Sequence, residues 1–349
     1  MRERKRSGHG ARESLCIGVR QLVTMLAAWY ETPGRAMDVL HVGEMADPVP
    51  GPGEVRVRVS FSGVNPGDTK KRGDWVGYGM PYPRVIPHSD GAGVIDVVGD
   101  GVDRARVGER VWVYGAQSYR AFGTAAQLTV VPAEQAVALP DEVSDELGAC
   151  LGIPGITAHR AVFGDGSVAG TTVLVHGVLG GVGSMAAQLA AWNGATVIGT
   201  VRRSVDLAKA DDAVAHRVAL DEADPVAAIR RLAPDGVNRI VEVSFSDNAD
   251  LDAAVVAPEA VIAAYATRDP RPNFDFWPML FANLTIRLLG SDDFPAAAKH
   301  QAADELTAAA RDGALRCAID EPLPLDRIAE AHDRLDAGTR GRVLLAIPH

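Results

Sequence analysis

Thr172-Val-Leu-Val-His-Gly-Val-Leu-Gly-Gly-Val-Gly183 is the stretch whose reading decides the fold. Its first half is a short apolar run, the composition of a parallel strand buried on both faces. Its second half, His176–Gly183, is a glycine turn, and Ser184–Asn193 continues as a helix that Gly194 ends. A strand passing through such a turn into a helix exposes unpaired backbone N–H groups at the positive end of the helix dipole. Glycine permits the tight turn and lets a diphosphate approach the backbone. Strict G-x-G-x-x-G spacing is absent, and glycine-rich turns also serve as plain connectors. The strand–turn–helix context favours the dinucleotide reading.

Downstream, Ala195–Thr200, Asn238–Val243 and Ala260–Tyr265 read as further strands with helical stretches between them, the alternation of a doubly wound α/β sheet. The end of the next strand selects the cofactor. An NAD site places Asp or Glu there for the ribose 2′-hydroxyl. Here the residues are Thr200-Val201-Arg202-Arg203-Ser204, with two guanidinium groups suited to a 2′-phosphate. NADP(H) is the expectation; a solvated basic loop is the alternative.

Upstream, Ala27 to about Gly115 is β in pattern. Glu54–Ser60 alternates polar and apolar residues after the Pro50–Gly53 turn, and Gly91–Gly99 and Val107–Tyr114 supply further strands. After Gly290 comes a helical stretch, Ala296–Arg311, and a closing strand, Gly341–Ala346, expected to return to the β domain. The division expected is residues 25–145 with 291–349 for the β domain and 146–290 for the dinucleotide domain. Two domains suit a 349-residue chain.

Residues 1–24 differ in kind: Arg2, Arg4, Lys5, Arg6, Arg12 and Arg20 stand against Glu3 and Glu13, a local charge of +4. The expectation is an extension from an upstream start codon, with the folded protein beginning near Met25; a basic targeting arm is the alternative. The net charge of −10 argues against a broad nucleic-acid surface. No apolar run approaches the roughly 20 residues of a membrane span. Cys16, Cys150 and Cys317 form no CxxC pair, which fits a reducing, cytoplasmic setting. His88, Ser89 and Asp90 are the one acidic–histidine cluster near a turn, and no Cys/His set with zinc spacing exists. Without a metal, hydride acceptors with a delocalised oxyanion are favoured, quinones above all.

These segments together resemble the medium-chain dehydrogenase/reductase superfamily, and within it the zeta-crystallin-like quinone oxidoreductases. Gly63–Gly73 resembles the family's "GVNPxDxxxRxG", Pro87–Gly93 its "PGxEGAG", Gly155–His159 its "GLTAY" and His176–Gly183 its "HGGxGGVG". Pro322–Leu325, Ala331-His332 and Gly341–Leu345 are similar to its closing segments. The resemblance implies a GroES-like β-barrel domain plus a Rossmann domain, NADPH as cofactor, a quinone or enone substrate and a homodimer. Positions corresponding to the catalytic zinc ligands of the alcohol dehydrogenases are Asn65, Ser89 and Ile153, so it implies no metal. It places Asn65 in the cleft near the nicotinamide, Thr157 and Tyr265 beside the ring, and Gly180, Gly181, Val182 and Gly183 on the diphosphate. Arg202, Arg203 and Ser204 complete the cofactor set. Many family members carry Tyr about five residues after the asparagine; here stands Lys70, which would stabilise an oxyanion or simply point to solvent within Lys70-Lys71-Arg72. An enoyl reductase and an NADPH-binding sensor or structural protein are the alternatives.

Overall fold

The computed structural model describes residues 24–349. The expected N-terminal extension lies outside the described residues except for Thr24, which opens the first strand. In chain order the strands are β1 (Thr24–Trp29), β2 (His41–Ala46), β3 (Glu54–Gly63), β4 (Asp90–Val98), β5 (Arg110–Val113), β6 (Leu128–Pro132) and β7 (Ala136–Ala138). Next come β8 (Thr172–Val175), β9 (Thr196–Val201), β10 (His216–Ala219), β11 (Val237–Glu242), β12 (Val256–Ala264) and β13 (Thr285–Leu288). The chain closes with β14 (Leu323–Pro324) and β15 (Leu344–Ala346).

Strands β8 to β13 form one sheet in the order β10-β9-β8-β11-β12-β13, with all neighbours parallel. Counted from β8 this is 3-2-1-4-5-6, the doubly wound Rossmann order, which reverses between β8 and β11. Val173, Leu174 and Val175 of β8 are fully buried, as an apolar strand covered by helices on both faces must be. The sheet's two edge strands, β10 and β13, were not expected from sequence. Each has four residues and mixes polar with apolar ones, so neither shows an apolar run.

The other half is a mixed sheet, β14-β15-β3-β4-β5-β7, with β6 paired to β3 and a separate β1–β2 pair. The β3–β4 register shifts twice, bending the sheet toward a barrel. Gly93 sits at a shift, where a Cβ would come within 2.0 Å of the Arg58 carbonyl oxygen. This is the GroES-like domain.

Helix Ala296–Arg311 packs where the two halves meet: its Ala302, Ala303, Leu306 and Ala309 share a core with Met185, Ala186 and Leu189 of the Rossmann layer and with Ala92, Trp112 and Tyr114 of the other half. Trp112 Nε1 of β5 also donates to Thr307 on this helix at 3.0 Å. The alanines of its buried face let the helix pack closely at the junction. From β14 onward the chain rejoins the mixed sheet, where β15 pairs with β3. No helix among the described residues is long and apolar enough to cross a membrane.

Candidate active site

The carboxyl end of β8 runs into the glycine turn, and the helix Gly181–Trp192 begins there with Gly180 as its N-cap. Gly177 has φ 67°, a left-handed conformation that glycine takes without penalty. A Cβ on Gly183 would stand 2.4 Å from the Gly177 carbonyl oxygen, so only glycine fits there. Gly180 is exposed and Gly181 and Val182 are half-buried, leaving the helix N-terminus open to an anion. This geometry fits a dinucleotide diphosphate.

Two other segments converge on the turn. At the site of a Cβ on Gly181, Arg342 Cδ lies at 3.3 Å and Pro154 Cβ at 3.8 Å. Arg342, two residues before β15, is buried and donates through Nη2 to Asn65 Oδ1 at 3.0 Å. Asn65 Nδ2 donates to Asp90 Oδ2 at 2.7 Å, and Asp90 Oδ1 accepts from the Ile153 backbone N–H at 2.8 Å. Asn65 also opens helix Pro66–Arg72, its backbone N–H donating to Asp68 Oδ2 at 2.7 Å. Burial pushes the Asp90 carboxyl up to about 6, against the opposing pull of Arg342. Burial likewise lifts Asp68 to about 7. Cys150, whose sequence neighbourhood offered no partner, lies beside Cys317 here, and Cys317 together with Arg342 holds its thiol below the usual range.

The donor chemistry of these positions can be compared with what a catalytic zinc takes. Asn65 is tied to Asp90 and Arg342, Ser89 Oγ is buried without a partner, and Ile153 offers only hydrocarbon. A guanidinium occupies the neighbourhood where a cation would sit. These residues do not fit a catalytic zinc. One group of described residues does have ligand spacing, buried His176, Glu242 and Asp252. Both nitrogens of His176 are already bonded, to Thr200 at 2.9 Å and to Asp252 at 3.0 Å. We read it as an internal ion pair: despite burial, the carboxylates raise His176, while burial lifts Glu242 to about 7.

Thr157 is buried on helix Ile156–Phe163, directly after the Ile153–Pro154 segment that meets Asp90 and Gly181. Tyr265 follows β12, its backbone N–H bonded to Glu242 O at 3.0 Å, and burial holds its phenol far above the usual range. Lys70 is exposed, its ammonium 5.4 Å from the centroid of the Trp75 ring. The expected surface run holds for Lys70 alone. Lys71 turns inward to Asp292 at 2.8 Å and Gln117 at 3.3 Å, and buried Arg72 donates to His332. Tyr114, Ser118, Ile153, Asp292 and Lys299 line a narrow cleft beside this pair.

At the end of β9, Arg202, Arg203 and Ser204 are all exposed. Sequence found no acid there, but the fold brings two. Asp221 accepts from the Ser204 backbone N–H at 2.8 Å, and Asp206 lies 3.4 Å from Arg203. Asp206 stands at i,i+3 from Arg203, a local pair, whereas the approach of Asp221 has no signal in the linear spacing, nor does the role of Arg342, which read only as part of a strand.

His88 stands where the resembled pattern has glycine, and its φ is 75°. A hydrogen-bonded chain offsets the cost of that conformation, about 1–2 kcal/mol. Arg72 can only donate, so His332 Nδ1 accepts at 3.0 Å. His332 Nε2–H then donates to His88 Nε2 at 2.9 Å, and His88 Nδ1–H to Ser62 at 2.8 Å. Ser62 passes to Thr124 at 2.7 Å, and Thr124 donates to the Asp90 carbonyl at 2.6 Å.

A doubly wound sheet with an anion cradle at its switch point, facing a GroES-like domain across a cleft, defines a nicotinamide-dependent oxidoreductase. Two family models match: the alcohol dehydrogenase GroES-like domain over residues 51–141 and the zinc-binding dehydrogenase domain over 181–303. The quinone oxidoreductase of Mus musculus is 31% identical over 320 residues, spanning 86% of this chain and 91% of that one. A Pseudomonas syringae quinone oxidoreductase structure superposes with TM-score 0.78 at 26% identity, covering 92% of this chain and 99% of that one. A mycobacterial protein complexed with NADPH gives the same values. The chain belongs to the quinone oxidoreductase-like oxidoreductases of the medium-chain dehydrogenase/reductase superfamily.

Proposed function

We propose that the chain reduces a quinone or a related α,β-unsaturated carbonyl with NADPH and without zinc. The observation that carries this reading is the floor of the cleft, where the Asn65–Asp90–Arg342 network stands in place of a metal donor set. An acceptor that delocalises its own developing charge is the substrate such a floor can serve.

The cofactor, when bound, supplies a hydride. The chain's own groups do the rest. The bare Cα of Gly180, whose own N–H is bonded to the Gly177 carbonyl at 2.9 Å, and the backbone N–H groups of Gly181, Val182 and Gly183 hold the diphosphate, and Arg202, Arg203 and Ser204 take the ribose phosphate. Thr157 and Tyr265 flank the ring position. One Asn65 N–H remains for the acceptor carbonyl after the bond to Asp90. Buried Arg342, with its Nε unpartnered, keeps the floor positive where an oxyanion forms. Positioning and exclusion of water supply the remainder.

We also propose a homodimer through the β13 edge of the parallel sheet. Leu288 on that edge is 75% exposed, and Trp277 and Phe281 nearby are 61% and 75% exposed, a large apolar patch for a monomer surface.

The test mixes full-length protein with NADPH and a panel containing a quinone, an enal and a crotonyl thioester, following the loss of reduced nicotinamide absorbance. Quinone reduction supports the proposal. Turnover confined to the thioester favours an enoyl reductase. Thermal stabilisation by NADPH with no turnover favours a binding protein.

A further inference from the structure

At the end of β9 the structure gathers charges from both domains onto one carboxylate. Asp206 accepts from Lys209 Nζ at 2.9 Å and from both terminal nitrogens of Arg340, Nη1 at 2.9 Å and Nη2 at 3.0 Å. Arg203 lies 3.4 Å away on a third side. The bond from Lys209, then those from Arg340, hold the Asp206 carboxyl down at about 2. Its side chain is 6% exposed under cations that are themselves about half exposed. A carboxylate clasped bidentately by an arginine and by two further cations has the coordination a phosphate takes.

Arg340 does not belong to the Rossmann layer. It lies in the turn between helix Ile328–Asp336 and β15, and β15 is hydrogen-bonded to β3 of the GroES-like sheet. The turn is fixed from behind: Arg342 N donates to the Ala318 carbonyl at 2.7 Å, Asp320 N to the Arg342 carbonyl at 3.1 Å, and Thr339 to Asp320 at 2.8 Å. Within three residues the same segment therefore sends Arg340 to the adenosine end of the cleft and Arg342 to Asn65 at the other end. Gly341 between them admits no side chain, since a Cβ would stand 2.2 Å from Asp320 Oδ1.

We propose that Arg340, with Lys209, is a specificity-determining clamp for the cofactor's 2′-phosphate, and that Asp206 is the internal anion holding the clamp formed until the phosphate arrives. The inference rests on the NADPH reading above and extends it to residues of the other domain. The charges fit. Arg202, Arg203, Lys209 and Arg340 against Asp206 and Asp221 leave two positive charges, which balance a phosphate monoester of about −1.5 to −2 at neutral pH. Because Arg340 comes from the opposite domain, the 2′-phosphate is held by side chains of both domains at once. A cofactor with a plain 2′-hydroxyl gains nothing from the clamp.

The experiment measures dissociation constants for NADPH and NADH on the full-length protein, wild type and variants, by nicotinamide fluorescence. Arg340→Gln is expected to weaken NADPH about tenfold or more and NADH less than about twofold. Arg340→Lys, which keeps the charge but loses the fork, should fall between. Asp206→Asn removes the competing anion and should tighten NADPH several-fold with a steeper salt dependence, leaving NADH unchanged. Wild-type protein that prefers NADH overturns the cofactor reading and this inference with it. Wild-type protein that prefers NADPH, with the preference unchanged in Arg340→Gln, overturns the inference alone. Equal weakening of both cofactors in both Arg340 variants also overturns it, because the residue is then structural.

Discussion

Asn65 and Arg342, 277 positions apart, are joined by one hydrogen bond of 3.0 Å, and through Asn65 the guanidinium reaches the buried Asp90 carboxylate. The three side chains are a single electrostatic unit. Arg342 is the cation that keeps Asp90 from rising further above the usual carboxylate range. Replacing Arg342 by Met leaves a buried carboxylate with the Asn65 amide and the Ile153 backbone N–H but no counter-charge. We expect a loss of about 3–5 kcal/mol in unfolding free energy near pH 8. The loss shrinks as pH falls through the raised Asp90 value, because protonation removes the stranded charge. Urea unfolding at pH 8 and pH 5.5 measures both; equal losses at the two pH values would show that Asp90 is not the group left unpaired.

The His88–His332 pair gives the β domain a second, opposite pH dependence. Burial holds His332 down at about 3, with Arg72 adding to the effect, and burial with His332 and Arg342 holds His88 well below 6.5. Unfolded histidine titrates near 6.5. Below that pH the unfolded chain binds protons that the folded chain refuses, so this stability is complete above about pH 7 and is lost progressively toward acid. Asp68 and Asp90, raised by burial, act in the other sense: their contribution is complete below about pH 4 and is lost as pH rises through 6 to 7. Comparison with His332→Gln isolates the histidine part, since Gln can accept from Arg72 and donate to His88. We expect the variant to lose less stability than wild type between pH 7.5 and pH 5. Parallel pH curves would contradict the neutral hydrogen-bonded chain.

Much of this was legible in the sequence because the decisive residues are local. The apolar run of β8, the glycine turn and the arginines after β9 lie within 35 positions and each carries its own chemistry. Arg342, Asp206 and Arg340 are different. Their meaning comes from chain crossings that bring residue 342 to 65 and residue 340 to 206. A basic residue before a closing strand has no spacing that announces a buried partner. Lys71 was obscured similarly: three consecutive cations look like a solvated face, and the helix Pro66–Arg72 sends each in a different direction. The edge strands β10 and β13 were illegible because short strands at a sheet edge need no continuous apolar run.

The glycine turn separates folding from binding. A Cβ on Gly183 would meet the Gly177 carbonyl at 2.4 Å, whereas at Gly180 the same oxygen is 3.4 Å away. Gly183→Ala should therefore lose about 1–3 kcal/mol of stability as well as cofactor affinity. Gly180→Ala should melt within a few degrees of wild type, yet its methyl projects at the exposed entrance of the cradle. We expect it to weaken NADPH about tenfold by limiting approach of the diphosphate to the backbone. Calorimetry with cofactor titration tells the two apart. If Gly180→Ala binds normally, the diphosphate does not approach over that residue.

Lys70 and Lys71 are neighbours with separate duties, and alanine at each should show it. Lys70 stands over the exposed Trp75 ring, a contact worth about 0.5–1 kcal/mol at such a site. Lys70→Ala should cost that much stability and leave kcat/KM for quinone within about twofold, since an ammonium in water offers an oxyanion little. Lys71 ties helix Pro66–Arg72 to Asp292 across the cleft, where Lys71, Ser118 and Lys299 hold the Asp292 carboxyl below its usual range despite burial. Lys71→Ala removes the main counter-charge of a half-buried pair, and about 1 kcal/mol of stability should go with it. Because Ser118 and Asp292 line the cleft beside Ile153, we also expect KM for the acceptor to rise about threefold to tenfold with a smaller change in kcat, the signature of lost positioning. Steady-state kinetics with unfolding curves on both variants decides. A fall in kcat of more than about tenfold for Lys70→Ala, with stability retained, would mean that the Lys70 ammonium leaves Trp75 for the acceptor when substrate binds. In that event Lys70 would hold the developing oxyanion from the position where many relatives carry tyrosine.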